Sequence, residues 1–238
     1  MVRSSGGRLI AAGLTVVLLF SVFLAEQREL FRAVDVMSPS GARRGHTLVL
    51  DAGHGGADGG AVSVTGTQES VINLAIVLKM DQIAGLLGID AVLTRDAEQI
   101  AYPGWADTIR SKKVADQRAR VQLINARESA FLISVHQNKY ASSGPFGAQT
   151  FYNQAQESRL FAETLQEKLI LALDDGNKRP AARIPDDIYL MKNVACPAVL
   201  VECGFLSNPR EAALLETDVY QLKLAALMVG TWAANMQL

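Results

Sequence analysis

From residue 46 onward, short apolar runs alternate with longer stretches whose apolar residues recur every three or four positions. That is the signature of strands alternating with helices. Thr47, Leu48, Val49 and Leu50 read as a first strand that ends at Asp51 and gives way to a glycine-rich loop through Gly60. A helix starts at Glu69, with Ile72, Ile76, Met80, Ile83 and Leu87 stepping by four and three, and Gly88 stops it. Residues 91–94 form a second strand. The polar stretch at 95–112 is too long for a simple connection and suits the rim of a groove. A helix from about residue 114 to 127 turns Val114, Val121 and Ile124 inward. Residues 131–135 are a third strand ending at His136, and residues 149–152 a fourth, reached through Ser142, Ser143, Gly144 and Pro145. A helix at about 157–173, a strand at 198–203 and a helix at about 219–235 complete the pattern.

This order predicts an α/β fold: a single domain with a mostly parallel central sheet and helices on both faces. Ligands in such sheets sit beyond the carboxyl ends of the strands.

The first 45 residues differ in character. Arg3 and Arg8 precede an uncharged apolar run at 9–25, followed by Glu26, Arg28, Glu29 and Arg32. As a helix the run would be roughly 26 Å long, just enough to cross a thin hydrocarbon core. Residues 1–32 are therefore expected to be an N-terminal hydrophobic helix acting as a membrane anchor or signal segment, with 33–45 a linker and 46–238 the catalytic domain. An uncleaved anchor is favoured, because cutting after Ala25 would put Phe23 where signal peptides carry a small residue. Either way the leading arginines keep that end inside, so the domain is membrane-anchored or secreted and lies outside the cytoplasm.

A net charge of −1, with no basic block, gives no reason to expect nucleic acid as a partner. Cys196 and Cys203 are the two cysteines. Across an extended strand they would stand roughly 23 Å apart, beyond disulfide reach.

The chemistry concentrates at strand and helix ends. The chain has three histidines, and two of them, His54 and His136, fall there. His54 sits among glycines that let the backbone turn sharply. Glu69 opens a helix, His136 follows an apolar strand, and Glu202 directly follows Ala198-Val199-Leu200-Val201, where a buried carboxylate needs a cation or a proton. Three such residues can close a zinc site with one open position for water, whose pKa the ion lowers to about 7. The fourth can serve as a general base and hand the proton to a leaving amine. Asn138 is a candidate for orienting substrate, or simply a turn residue.

The motifs D-A-G-H-G-G at 51–56, the helix-start Glu69, S-V-H-Q-N at 134–138 and E-C-G-F at 202–205 resemble those of the zinc-dependent N-acetylmuramoyl-L-alanine amidases of the third amidase family. The resemblance spans nearly all of residues 46–237. The stretches D-G-G-A-V at 58–62, G-A-Q-T-F-Y-N at 147–153 and residues 188–215 are closest to sporulation-specific members. It implies Zn2+ held by His54, Glu69 and His136, a catalytic Glu202, and cleavage of the amide between muramic acid and the stem peptide of peptidoglycan. It also implies functional coupling to a muramic acid deacetylase in making muramic δ-lactam of the spore cortex, and leaves room for an accessory protein. Ala52 stands where relatives usually carry proline, Gln137 where an apolar residue is common, and Cys203 where another small or apolar residue is usual. A general amidase of wall turnover or cell separation is the alternative. A non-catalytic wall-binding domain fits less well, since all four site residues are present.

Overall fold

The central strands are apolar on both sides, and that dictates what covers them. The computed structural model of the protein describes residues 47–173 and 176–235. Its strands are β1 (Thr47–Ala52), β2 (Ala91–Leu93), β3 (Ala130–Asn138), β4 (Gln149–Tyr152), β5 (Ala182–Arg183) and β6 (Ala198–Phe205). They form one sheet in the order β2-β1-β3-β6-β4-β5. The first four in that order are parallel, whereas β4 runs antiparallel to β6 and carries β5 parallel to itself. The sheet is mostly parallel, as the alternating pattern predicts.

The helices among the described residues are α1 (Glu69–Leu86), α2 (Ile109–Asn125), α3 (Gln156–Leu173), α4 (Tyr189–Asn193), α5 (Pro209–Leu215) and α6 (Asp218–Asn235). Alternate residues of each central strand enter opposite layers, because strand side chains have a period of two. Leu48, Leu50, Ile133 and Val201 pack with Ile76 of α1, Phe161 of α3 and Met228 of α6. Val49, Leu132 and Leu200 pack on the other face with Ile124 of α2 and Met191 of α4. Burial on both faces explains the near-continuous apolar runs of β1, β3 and β6. Phe131 and Phe161 meet edge to face at 4.9 Å between ring centroids, tying β3 to α3.

Helix α1 begins at Glu69, as expected, and ends just before Gly88, whose φ of 65° lets the Ile89 N–H reach back to the Ala84 carbonyl. Helix α2 departs from expectation by starting at Ile109, not near residue 114. A capping box sets it: the Thr108 hydroxyl accepts from the Ser111 N–H, and the Ser111 hydroxyl accepts from the Thr108 N–H. The first turns of α2 are polar, so apolar periodicity could not reveal them. Likewise β3 continues to Asn138 and β6 to Phe205, with a register shift between His136 and Asn138. Asn138 is thus a strand residue, not a turn residue. The short elements β5, α4 and α5 carry too little periodicity to be read, although Asn208 before Pro209 is a helix-start signal that the structure uses.

The expected hydrophobic helix at 9–25 and the linker at 33–45 lie outside the described residues. Among the described residues, no helix is long and apolar enough to cross a membrane. Cys196 and Cys203 are free thiols, the latter fully buried.

Candidate active site

The polypeptide leaving β1 is gripped from three sides. Nη1 of Arg120 donates to the Ala52 carbonyl and Nη2 to the His54 carbonyl, each at 2.6 Å. Nε of Arg95 also donates to the Ala52 carbonyl, and Nδ2 of Asn73 donates to the Gly53 carbonyl at 3.1 Å. Held in this way, His54 takes a φ of 61°, a left-handed conformation rare for a non-glycine residue. Such strain persists where the surroundings over-determine it, and it collects at functional sites. Two glycines are required by close approach. A Cβ at Gly53 would run into the imidazole of His136, and one at Gly60 would lie 2.6 Å from Oε2 of Glu69.

Arg120 is itself anchored. It is 4% exposed, and its Nη1 lies 2.7 Å from Oδ1 of Asp51, which is 1% exposed. Asp51 also accepts from the Thr94 and Ser134 hydroxyls, and Nε of Arg120 donates to Asp116. Burial would push the Asp51 carboxyl up, but Arg120 and the two hydroxyls outweigh it and hold it below the usual carboxylate range.

Four side chains expected from the sequence meet at the carboxyl ends of β1, β3 and β6. Oε2 of Glu69 lies 3.3 Å from Nε2 of His54, and Oε1 lies 3.1 Å from Nδ1 of His136. Potential ligand atoms of His54, Glu69 and His136 all fall within 4.8 Å of one another. The Ala61 and Gln137 backbone N–H groups donate to Glu69, fixing both carboxylate oxygens. Burial acts against ionisation of Glu69, yet its hydrogen bonds with His136 and His54 hold the carboxyl far below its usual range. Burial likewise disfavours a charged His54, but Glu69 and Asp58 outweigh it and raise that imidazole.

Glu202 pairs with His136 across the β3–β6 register and has a buried Oε2 with no hydrogen-bond partner among the described residues. Burial pushes its carboxyl up to about 7; the neighbouring His136 and His54 oppose the rise, and the charge of Glu69 adds to it. A carboxylate at this position can hold or release a proton near neutrality.

Sequence reasoning missed several residues that shape the site. Asp58, four residues after His54, has its Oδ2 3.1 Å from Nδ1 of His54 and 2.8 Å from Nζ of Lys113. An ionised carboxylate only accepts, so Asp58 fixes a proton on Nδ1 and leaves Nε2 for the centre of the cluster. The spacing H-x-x-x-D was available in the sequence as a signal. Gln137, notable in the sequence only for standing where an apolar residue is common, is buried and donates to Asn73, which in turn holds Gly53 and Glu69.

The four residues open into a cleft of about 540 Å³. One wall is α2, through Arg110, Lys113, Val114 and Gln117, and the other is the segment from Asp187 to Leu190. The long connection after β2 does not rim this cleft. It buttresses the glycine-rich loop from outside, where the Tyr102 hydroxyl accepts from the Ala57 N–H and the Glu98 carbonyl accepts from the Gly56 N–H. Only Arg110, from the last part of the expected rim, lines the cleft.

Two imidazole nitrogens and a carboxylate around a common centre suit a divalent ion of the zinc type. The orphaned Oε2 of Glu202 beside them suits a group that receives a proton, and the set has the makings of a hydrolytic centre.

A family model for N-acetylmuramoyl-L-alanine amidases (Amidase_3) matches residues 48–230. The germination-specific N-acetylmuramoyl-L-alanine amidase of Bacillus subtilis (strain 168) is 38% identical over 183 residues, which is 76% of this chain and 76% of that protein. N-acetylmuramoyl-L-alanine amidase LytC of the same organism is 32% identical over 194 residues, 79% of this chain but 35% of LytC. Among solved structures, the CwlD amidase from Clostridioides difficile, in complex with the GerS lipoprotein, superposes with a TM-score of 0.76 at 36% identity, covering 81% of this chain and 98% of that one. The matched span contains the whole sheet and all four clustered side chains, and the chain accordingly belongs to the N-acetylmuramoyl-L-alanine amidase family of peptidoglycan hydrolases, with CwlD-type amidases among its relatives.

Proposed function

We propose that this amidase is zinc-dependent, with His54, Glu69 and His136 as ligands and Glu202 as the general base, and that it acts in spore cortex formation. The observation that carries the first part is the buried, unpartnered Oε2 of Glu202 beside three convergent donors. Zinc bound there would act as a Lewis acid on the amide carbonyl and make water a better nucleophile at neutral pH. The chain's own part is separable. Oε2 of Glu202 takes the proton from the attacking water and delivers it to the leaving nitrogen of alanine, so that the amine departs neutral. Asp58 and Asn73 keep His54 and Glu69 in place, and the walls of the cleft hold the peptide and limit water access.

Metal analysis of His136→Ala is expected to show a large loss of zinc relative to wild type. Unchanged stoichiometry and affinity would remove the ligand assignment. Removing one of three protein ligands leaves a two-donor site, poorer in donors than zinc ordinarily requires.

The biological part is supported by the 38% identity to the germination-specific amidase and by the likeness to CwlD. The δ-lactam of muramic acid closes onto the lactyl carboxyl, which is freed only when the peptide is removed, so an amidase must act before lactam closure. The deacetylase partner follows from the same chemistry, because closure needs a free amine. The CwlD structure contains a lipoprotein, and an accessory protein of that kind is part of the proposal here. So is tethering through residues 9–25, which would hold the domain outside the cytoplasm at the membrane, in the spore intermembrane space or against the wall. A deletion strain is expected to form spores whose cortex lacks muramic δ-lactam, measured by mass analysis of muropeptides, while vegetative cells separate normally. Normal lactam together with chained vegetative cells would instead favour the cell-separation amidase.

A further inference from the structure

One face of α2 lines the cleft without any task in the chemistry above. Arg110, Val114 and Gln117 recur at steps of four and three and share that face, with Lys113 beside them. The four differ in what already occupies them. Nζ of Lys113 is committed to Asp58. Oε1 of Gln117 is buried with no hydrogen-bond partner among the described residues, so its donor must come from ordered water or from a ligand in the cleft. Arg110 is exposed and makes no ion pair or hydrogen bond with a described residue. It also stands in the first turn of α2, which carries no acidic residue. The helix dipole disfavours a cation there, so local stability gives no reason for its presence, whereas an anion brought to that end would be attracted by both.

The same cleft is lined by the apolar Val114, Ile188, Leu190 and Leu200, with Asp187 at the start of the opposite wall. Seven residues separate Gln117 from Arg110, roughly 10 Å along the helix axis. An extended peptide covers that span in about three residues. Along α2 from the end nearer Arg120, which holds the His54 carbonyl, the order is an acceptor for N–H, a small apolar surface, and a cation.

We propose that this face of α2 is the subsite for the stem peptide: Gln117 accepts a peptide N–H, Val114 packs against the alanine methyl, and Arg110 binds the free carboxylate of the following residue. The inference rests on the amidase assignment and adds a preference to it. In stem peptides the residue after alanine is a γ-linked glutamate, whose α-carboxyl is free in some walls and amidated in others. Arg110 would select the free acid.

The test uses the full-length, zinc-loaded protein and two matched glycan-strand substrates, whose second stem residue carries either a free or an amidated α-carboxyl. Wild type is expected to cleave the acid with a kcat/KM about tenfold higher, the worth of one charge-assisted hydrogen bond near a protein surface. In Arg110→Gln that ratio should fall to about one, and Arg110→Lys should restore part of it. Gln117→Leu should raise KM for both substrates and leave the ratio alone. Circular dichroism of the Arg110 variants should match wild type, since the side chain is exposed. A wild-type enzyme indifferent to amidation, or a preference that survives Arg110→Gln, overturns the subsite. Failure of wild type to release peptide from either substrate would instead overturn the amidase reading on which it rests.

Discussion

Glu202→Gln is expected to keep its metal and to lose turnover by on the order of 10²- to 10⁴-fold, the range for removal of a general base. The substitution preserves shape and volume, so β6 should pair with β3 unchanged, and the amide cannot take a proton from water. The position of Glu202 makes the expectation sharp. Its carboxyl is pushed up to about 7, chiefly by burial, and a divalent ion next to it would oppose that rise and favour the ionised base. Measuring released amine from glycan strands, with zinc content determined in parallel, separates the two roles. Near-normal turnover with full metal would show that another group accepts the proton, and loss of metal would mean that Glu202 helps to bind it.

The second large effect concerns stability. Arg120→Leu is expected to cost about 3–5 kcal/mol, because it leaves the buried Asp51 carboxylate without its counter-charge. The same change frees the His54 carbonyl and leaves the Ala52 carbonyl to Arg95 alone, so the loop that holds His54 should loosen as well. Urea unfolding followed by circular dichroism reads the first effect, and zinc affinity the second. The double variant Asp51→Asn with Arg120→Leu should lose less than the sum of the single variants, since removing both charges leaves neither unpaired. An Arg120→Leu protein as stable as wild type would show that solvent reaches Asp51. The pH sense is fixed by direction. The folded-state pKa of Asp51 is lowered, so its contribution is complete above the unfolded value of about 3.9 and is lost only as pH falls through the lower folded value.

What the sequence made legible depended on range. The strands at the sheet centre and the long helices announce themselves because each is buried over many residues, and burial imposes a period. His54, Glu69, His136 and Glu202 could be found because their residue types are out of place next to glycines or apolar strands. The start of α2 was hidden, since Thr108 and Ser111 fix it with two hydrogen bonds and no apolar stripe. The Asp51–Arg120 pair was hidden for another reason: its partners are 69 residues apart, and nothing local marks either of them. Arg110 is the extreme case. On the page it is one cation among several in a polar stretch, and only the packing of α2 against the cleft distinguishes it from Arg118 or Arg127.

Both borders of the sheet are short: β2 has three residues and β5 has two. The strands between them include long apolar segments such as Phe131–Val135, which in an incompletely folded chain could pair with copies of themselves. Flanking them with strands this brief leaves little unpaired backbone to template another chain. The finished domain is thus guarded against edge-to-edge aggregation, and a protein partner must engage its helices or loops instead of extending the sheet.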